Sequence, residues 1–298
     1  MTSKGSSHFR RYLPISDADR AWGLHVVCGG FLRTLPGSSY PPPGHPERYS
    51  LLWPAGRILD EFQLHFITRG SGDFESAGDG PREIAAGTVF LLFPGVWHRY
   101  RPRVASGWDE YWIGFDGEQA RRMMRPPFFT SQQPLIIAGE RSAVLEQFTA
   151  IVATMQQDPP HLQRLLAGMT GLLLGILQAH LAGGAVDARG ARLVQEAKRA
   201  LSQQLCQAVD GQALAARLGV GYHWLRRAFA QQAGMSMHEY HSQLRVHAAM
   251  QLLESGTQSI AAVAAAVGFS DAYYFSRVFR KYAGMPPQKW RFQRQGGR

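Results

Sequence analysis

The stretch SIAAVAAAVGFSDAYYFSRVFRKYAGMPPQKWRFQR, Ser259 to Arg294, decides how the rest of the chain is read. Ile260, Val263, Ala264 and Val267 fall at i, i+3, i+4 and i+7, which predicts a short helix with one apolar stripe. Gly268 suits the left-handed turn that ends a helix, and Ser270 or Asp271 can cap the next one. That second helix, Asp271 to Tyr282, is expected to turn Tyr274, Phe275, Val278, Phe279 and Tyr282 inward. Tyr273, Ser276, Arg277, Arg280 and Lys281 are left outward. A helix, a glycine turn and a helix with a basic outer face form the pattern of a helix-turn-helix that lays its second helix in the DNA major groove.

The pattern occurs twice. LAARLGVGYHWLRRAFAQQAGM, Leu214 to Met235, runs parallel to VAAAVGFSDAYYFSRVFRKYAGM, Val263 to Met285. Gly219 answers Gly268, Arg227 answers Arg277, Phe229 answers Phe279, and Ala233-Gly234-Met235 answers Ala283-Gly284-Met285. A repeated supersecondary unit is stronger evidence than either copy alone. Between the copies Met237 to Leu253 reads as one helix, about 25 Å long at 1.5 Å per residue. Such a rod can set two recognition helices about one DNA turn, roughly 34 Å, apart.

These residues resemble the AraC/XylS family of bacterial transcription regulators. The resemblance rests on Ile260, Gly268-Phe269, Tyr274-Phe275-Ser276-Arg277-Val278-Phe279, Arg280-Lys281, Gly284 and Pro287-Gln288-Lys289-Trp290-Arg291, with Tyr240, Arg245, Ala249 and Leu252-Leu253 in the linking helix. It covers roughly the last hundred residues. It implies double-stranded DNA as partner, with His223, Arg226 and Arg227 reading bases from the first recognition helix. Tyr273, Ser276 and Arg277 read from the second, and Arg280 and Lys281 grip phosphates; an exposed surface charge is the other reading of each arginine. Trp224, Leu225, Phe229, Phe275 and Phe279 are expected inside. Gly221 stands where the family usually has a serine opening the first recognition helix, so that helix is expected to lack a side-chain cap.

Charge agrees with this division. Residues 191–298 hold 14 Lys/Arg and 5 Asp/Glu, a balance of +9, against +1 for residues 1–190 with 18 and 17. A basic excess confined to one half is the electrostatic footprint of a nucleic-acid binder. Cys28 and Cys206 read as buried small hydrophobes rather than a disulfide. The N-terminus has no signal-peptide core and no run reaches about 18 apolar residues, so no membrane association and a cytoplasmic location are expected.

The first half has short alternating segments separated by Gly and Pro. Strands are expected over Leu24 to Phe31, Ser50 to Trp53, Glu61 to Arg69, Gly72 to Ser76, Val89 to Phe93, His98 to Arg101 and Asp109 to Phe115. The segments Phe62 to Gly72 and Gly87 to His98 resemble the cupin-type effector domain that precedes this kind of DNA-binding domain. Metal-binding cupins use a His-x-His, and none occurs in this chain. No metal, no cofactor and no catalytic residue are therefore expected, and His65 reads as a core or pocket-wall histidine. A polar and aromatic barrel mouth would hold a small molecule. By resemblance to the family's sugar sensors, Arg57, His98, Tyr100, Glu110 and Trp112 are the ligand-binding candidates, with Arg48 in addition. Tyr100 and Trp112 serve equally as core aromatics, and Arg57 as a surface charge.

Ser142 to Gln157 and Leu162 to Leu181 have helical periodicity, and the second carries a broad apolar stripe from Leu162 to Leu177. Dimerisation, common in the family, and burial within the domain explain that stripe equally. The expected organisation is an α+β multidomain chain. It has an N-terminal antiparallel β cupin-like barrel over 1–135, a helical dimerisation segment over 136–182, a linker over 183–191 and an all-α tandem helix-turn-helix domain over 192–298. The expected function is sequence-specific transcription regulation, as an activator responsive to a small molecule such as a sugar, in a homodimer that engages RNA polymerase. A metal-dependent cupin enzyme with an incidental basic domain is the alternative. A DNA-repair protein with a reactive cysteine is disfavoured by the surroundings of Cys28 and Cys206.

Overall fold

A computed structural model describes residues 8–42, 49, 51–76, 80–139, 143–183 and 188–295. The chain forms two compact units, Met1–Leu181 and Ala182–Arg298.

The first unit is built on eight strands: β1 His8–Tyr12, β2 His25–Thr34, β3 Phe62–Ser76, β4 Arg82–Ala85, β5 Thr88–Leu92, β6 His98–Pro102, β7 Trp108–Asp116 and β8 Leu135–Ile137. All pairings are antiparallel. The main path runs β1-β2-β7-β3-β5-β8, while β4 and β6 pair with the second half of β3. Sequence reading divides β3 into two strands; the structure makes it one of 15 residues shared by both sheets. The passage from one sheet to the other falls at Gly70, whose φ is +80° and where a Cβ would stand 2.0 Å from the Gly107 carbonyl oxygen. Only glycine fits there. Sequence reading also expects a strand over Ser50 to Trp53. Leu51 and Leu52 have no regular structure, and Ser50 lies outside the described residues. Three strands had no expectation, namely β1, β4 and β8, together with two short helices, α1 Asp17–Ala21 and α2 Glu118–Met123.

Two further helices, α3 Ala143–Gln157 and α4 Leu162–Gly183, complete the unit. Phe148, Ile151 and Met155 of α3, with Leu166, Leu173 and Leu177 of α4, join Val26, Leu64, Phe66, Ile113 and Phe115 of the sheet in one buried cluster. Gln163 anchors α4 to the sheet, its side chain accepting from the Val26 amide at 3.0 Å and donating to the Val26 carbonyl at 2.9 Å. By length and composition α4 is apolar enough to cross a membrane. Here Leu166, Leu173, Leu174 and Leu177 are spent on the domain core instead.

The second unit is helical: α5 Ala188–Gln203, α6 Gly211–Arg217, α7 Tyr222–Ala233, α8 Met237–Ser255, α9 Ile260–Ala266, α10 Ala272–Ala283 and α11 Pro287–Gln295. Residues 184–187 of the expected linker lie outside the described residues. The unit has two separate cores. Val194, Ala197, Leu214, Leu225, Phe229 and Met237 form the first, and Val246, Leu253, Val263, Phe275 and Phe279 the second. Helix α8 serves both, with Met237 and Tyr240 at one end and Val246, Ala249 and Leu253 at the other. Its 19 residues make a rod of about 28 Å.

Candidate nucleic-acid interface and ligand pocket

Each core positions one recognition helix. Asp210 caps α6 by accepting from the amides of Gln212 and Ala213, both at 3.0 Å, and Gly219 makes the turn into α7 with φ +69°. In the second copy Ser259 caps α9, and Gly268 makes the turn with φ +83°. A Cβ at Gly268 would meet the Cys206 carbonyl oxygen at 2.5 Å, so the preceding loop closes on the glycine itself. Asp271 then caps α10, accepting from the amides of Tyr273 at 2.8 Å and Tyr274 at 3.2 Å. Its counterpart Gly221 gives α7 no side-chain hydrogen bond.

Burial follows the helical period. Leu225, Phe229, Phe275 and Phe279 are fully buried, while His223, Arg226, Arg227, Tyr273, Arg277, Arg280 and Lys281 are exposed. Ser276 is half-buried, its hydroxyl donating back to the Ala272 carbonyl at 2.9 Å. Two aromatics expected inside lie outside: Trp224 is 36% exposed and Tyr274 38%. Trp224 stands one residue before buried Leu225, beyond the edge of the apolar stripe. Tyr274 flattens under the Arg277 guanidinium, 5.3 Å from its ring centre, and Lys281 lies 5.0 Å from the Tyr282 ring centre.

Several other cations of this unit are committed elsewhere. Arg245 donates to the carbonyls of Leu205 at 2.6 Å and Gln207 at 2.7 Å, and Arg192 and Arg294 face Glu196 and Glu254. Among the described residues, Arg226, Arg227, Arg277, Arg280 and Lys281 enter no ion pair within 4.0 Å. Unpaired cations on the outer faces of α7 and α10 suit contacts to phosphates and guanine edges. Sequence reasoning assigned Arg245 to the motif but gave it no task. Its task is to hold the loop that closes on Gly268.

In the first unit, a cavity of about 40 Å³ inside the barrel mouth is lined by Arg57, Tyr100, Glu110 and Trp112, four of the sequence candidates. His98 stands behind them, fully buried. It accepts from Arg57 Nε at 3.2 Å through Nε2 and donates from Nδ1 to the Val96 carbonyl at 3.1 Å. Burial, reinforced by the Arg57 charge, lowers its pKa from 6.5 to about 3, so it is a neutral support that orients Arg57. The Arg57 guanidinium also donates to the Tyr49 carbonyl at 2.6 Å and to the Tyr100 hydroxyl at 2.5 Å. Burial raises the Tyr100 phenol, which stays protonated. Arg48 lies outside the described residues.

His65, read from the sequence as a core or pocket-wall histidine, is buried and lines the cavity; sequence reasoning missed Tyr40, whose hydroxyl donates to Glu110 Oε1 at 3.0 Å, and the partners Glu61 and Gln63 that complete a polar ladder with His65. The alternation of polar residues at 61, 63 and 65 was a period-2 signal; nothing in the sequence marked Tyr40. Among the described residues no group of three His, Cys, Asp or Glu could hold a metal ion.

An antiparallel sheet domain with a small polar and aromatic cavity, followed by two helix-turn-helices in a basic helical unit, fits the class of DNA-binding regulators that carry a ligand-binding domain. The family model for an AraC-like ligand binding domain matches residues 56–194, and that for a helix-turn-helix domain matches residues 214–293. The Msm operon regulatory protein of Streptococcus mutans is 27% identical over 242 residues, which are 78% of this chain and 85% of the relative. The MmsAB operon regulatory protein of Pseudomonas aeruginosa is 28% identical over 245 residues, 80% of this chain and 77% of that one. The lactose operon transcription activator of Staphylococcus xylosus is 22% identical over 245 residues, 78% and 85%. The chain belongs to the AraC family of DNA-binding transcription regulators, and these relatives are regulators rather than enzymes.

Proposed function

We propose that this chain is a cytoplasmic transcriptional activator that responds to a sugar bound in the barrel of residues 1–135 and reads two consecutive major-groove segments with α7 and α10. The observation that carries the DNA reading is the pair of unpaired cationic faces, Arg226-Arg227 and Arg277-Arg280-Lys281, on helices held by a shared rod. His223, Arg226, Arg227, Tyr273, Ser276 and Arg277 read bases, and Arg280 and Lys281 hold phosphates. The effector is assigned to the cavity of Arg57, Tyr100, Glu110 and Trp112, with His98 positioning Arg57. A relative that is an activator of a lactose operon supports both the sugar and the sign of regulation.

The segment 136–182 supplies the homodimer. On α4, Leu165 and Leu172 are 47% and 57% exposed, and the exposed Gly168 and Gly175 have nothing within 4 Å of an added Cβ. Leucines alternating with open glycines on one face fit the same face of a second copy. RNA polymerase is the partner an activator of this family engages. Selection of bound sequences from a random duplex pool, with and without lactose, galactose and arabinose, tests the reading. Paired half-sites enriched in a sugar-dependent arrangement are expected; no enrichment in any arm removes the regulator reading for these helices.

A further inference from the structure

The two copies of the helix-turn-helix differ at the turn. One residue, Val220, separates Gly219 from the N-cap Gly221, whereas two, Phe269 and Ser270, separate Gly268 from the N-cap Asp271. A Cβ at Gly219 would meet nothing within 4 Å; at Gly268 it would meet the Cys206 carbonyl oxygen at 2.5 Å. Positive φ accounts for both glycines, but only the second also carries a neighbour on its Cα. That neighbour belongs to the loop 204–210, which joins α5 to α6 and packs on the first core through Val209. The Cys206 thiol crosses to the same place, donating at 3.0 Å to the carbonyl of Ala266, the last residue of α9.

Helix α8 holds the loop against that turn. His241 and Arg245 stand four residues apart, on one face of the helix. They lie between the α8 residues of the first core, Met237 and Tyr240, and those of the second, which begin at Val246. His241 Nε2 donates to the Gln204 carbonyl at 3.2 Å. Arg245 spans the carbonyls on either side of Cys206, those of Leu205 at 2.6 Å and Gln207 at 2.7 Å, and its guanidinium stands 5.3 Å from the ring centre of Phe269 in the longer turn. One forked side chain thus touches the loop of the first copy and the turn of the second. Lysine, a point charge, has no such fork.

Among the described residues the two cores have no member in common. A rod gripped at each end by a separate core fixes their separation along its axis, but leaves rotation of either core about that axis to side-chain packing, which can shear. A contact from the first copy's loop to the second copy's turn removes that freedom. We propose that Arg245 and the loop 204–210 form a clasp that fixes the rotation of α7 relative to α10, and so the single spacing of major-groove segments that one chain accepts. The inference rests on the DNA reading above and adds Arg245 to it as a positioning residue rather than a DNA contact.

One base pair inserted between the two segments displaces the second by about 3.4 Å and turns it by about 35°. The test compares, for the full chain, the duplex enriched from the random pool by wild type with the same duplex carrying that insertion between its two enriched segments. Wild type should bind the second at least about tenfold weaker, the loss of about one base contact. Arg245→Gln should narrow the ratio to about threefold or less, whereas general loosening of the fold lowers both affinities alike. Equal binding of both duplexes by wild type, or a folded Arg245→Gln that keeps the wild-type ratio, overturns the proposal. Should Arg245→Gln not fold, Arg245→Lys keeps the charge without the fork and must reduce the ratio to about half or less; an unchanged ratio overturns the proposal. A second readout needs no DNA. Nitroxide labels are placed on the exposed sites of His223→Cys and Tyr273→Cys in a Cys206→Ala background, which keeps the loop carbonyls and leaves only the buried Cys28. Pulsed electron resonance should give a distance distribution at least about twice as broad once Arg245→Gln is added, and equal widths overturn the clasp. A selection that enriches no duplex removes the DNA reading of the two helices, and the label widths then decide the clasp alone.

Discussion

Gly221→Ser should stabilise the helical unit, and the structure sets the size of the gain. Gly221 is the N-cap of α7 with φ −71° and ψ 140°, backbone values a serine adopts freely, and nothing lies within 4 Å of an added Cβ. Restricting the unfolded chain by replacing a glycine contributes about 0.4–1 kcal/mol. A hydroxyl accepting from an open amide of the first turn adds a few tenths more, so the total is about 1 kcal/mol. For a domain near 100 residues that raises the midpoint by about 4–8 °C. Differential scanning calorimetry of the full chain measures it, with Asp271→Ala identifying the right transition. That variant removes the two capping bonds of α10 and should lower the same transition by about 1 kcal/mol. Gly221→Ala is the decisive control, because alanine shares the entropy gain but caps poorly and should come out near neutral. If alanine raises the midpoint as much as serine does, the missing cap is not what limits α7.

Arg277→Ala should relax base preference at one position by about 1–3 kcal/mol, while Lys281→Ala should weaken all duplexes alike and flatten the salt slope by about one unit; binding titrations over a salt series separate the two. His98 should make the chain acid-sensitive. Its folded pKa of about 3 lies below the ordinary 6.5, so the unfolded chain takes up the proton first, stability is full above pH 6.5, and it falls as pH drops toward 3. Between pH 6.5 and 5 this amounts to about 1.6 kcal/mol, readable as a urea-midpoint shift that His98→Gln should reduce. On the dimer reading, Leu172→Glu should yield monomers in sedimentation without loss of helix content, because the 57% exposed side chain is not part of the core; an unchanged sedimentation coefficient would place the dimer contact elsewhere.

The DNA-binding half was legible because its information is local. Helix period, Asp and Ser caps, glycine turns and a second copy all lie within 80 residues, and each fixes its neighbours along the chain. What failed there was orientation at the edge of a stripe, as at Trp224 and Tyr274, where one position of helical phase decides between core and solvent. The barrel was less legible because its decisive contacts are remote. Tyr40 reaches Glu110 across 70 residues, and Arg57 reaches Tyr100 across 43. The short strands β1, β4 and β8 are defined by their partners in the sheet rather than by their own alternation. His98 was a ligand candidate by resemblance to the family's sugar sensors; only the fold reveals Arg57 in front of it.

The same contrast bears on how the two recognition helices divide their work. Helix α10 begins on a carboxylate that fills two of its open amides, and its Arg277 rests on Tyr274, so its reading side chains start from ordered positions. Helix α7 begins on a glycine with no side-chain bond, and its first-turn amides stay available to whatever approaches. A phosphate satisfies such amides and the helix dipole together. On the proposed reading, α7 therefore gains order from the backbone of the duplex, whereas α10 brings its order with it and can spend binding energy on bases. Helix α8 makes these differences coupled rather than independent, because its buried residues belong to both cores.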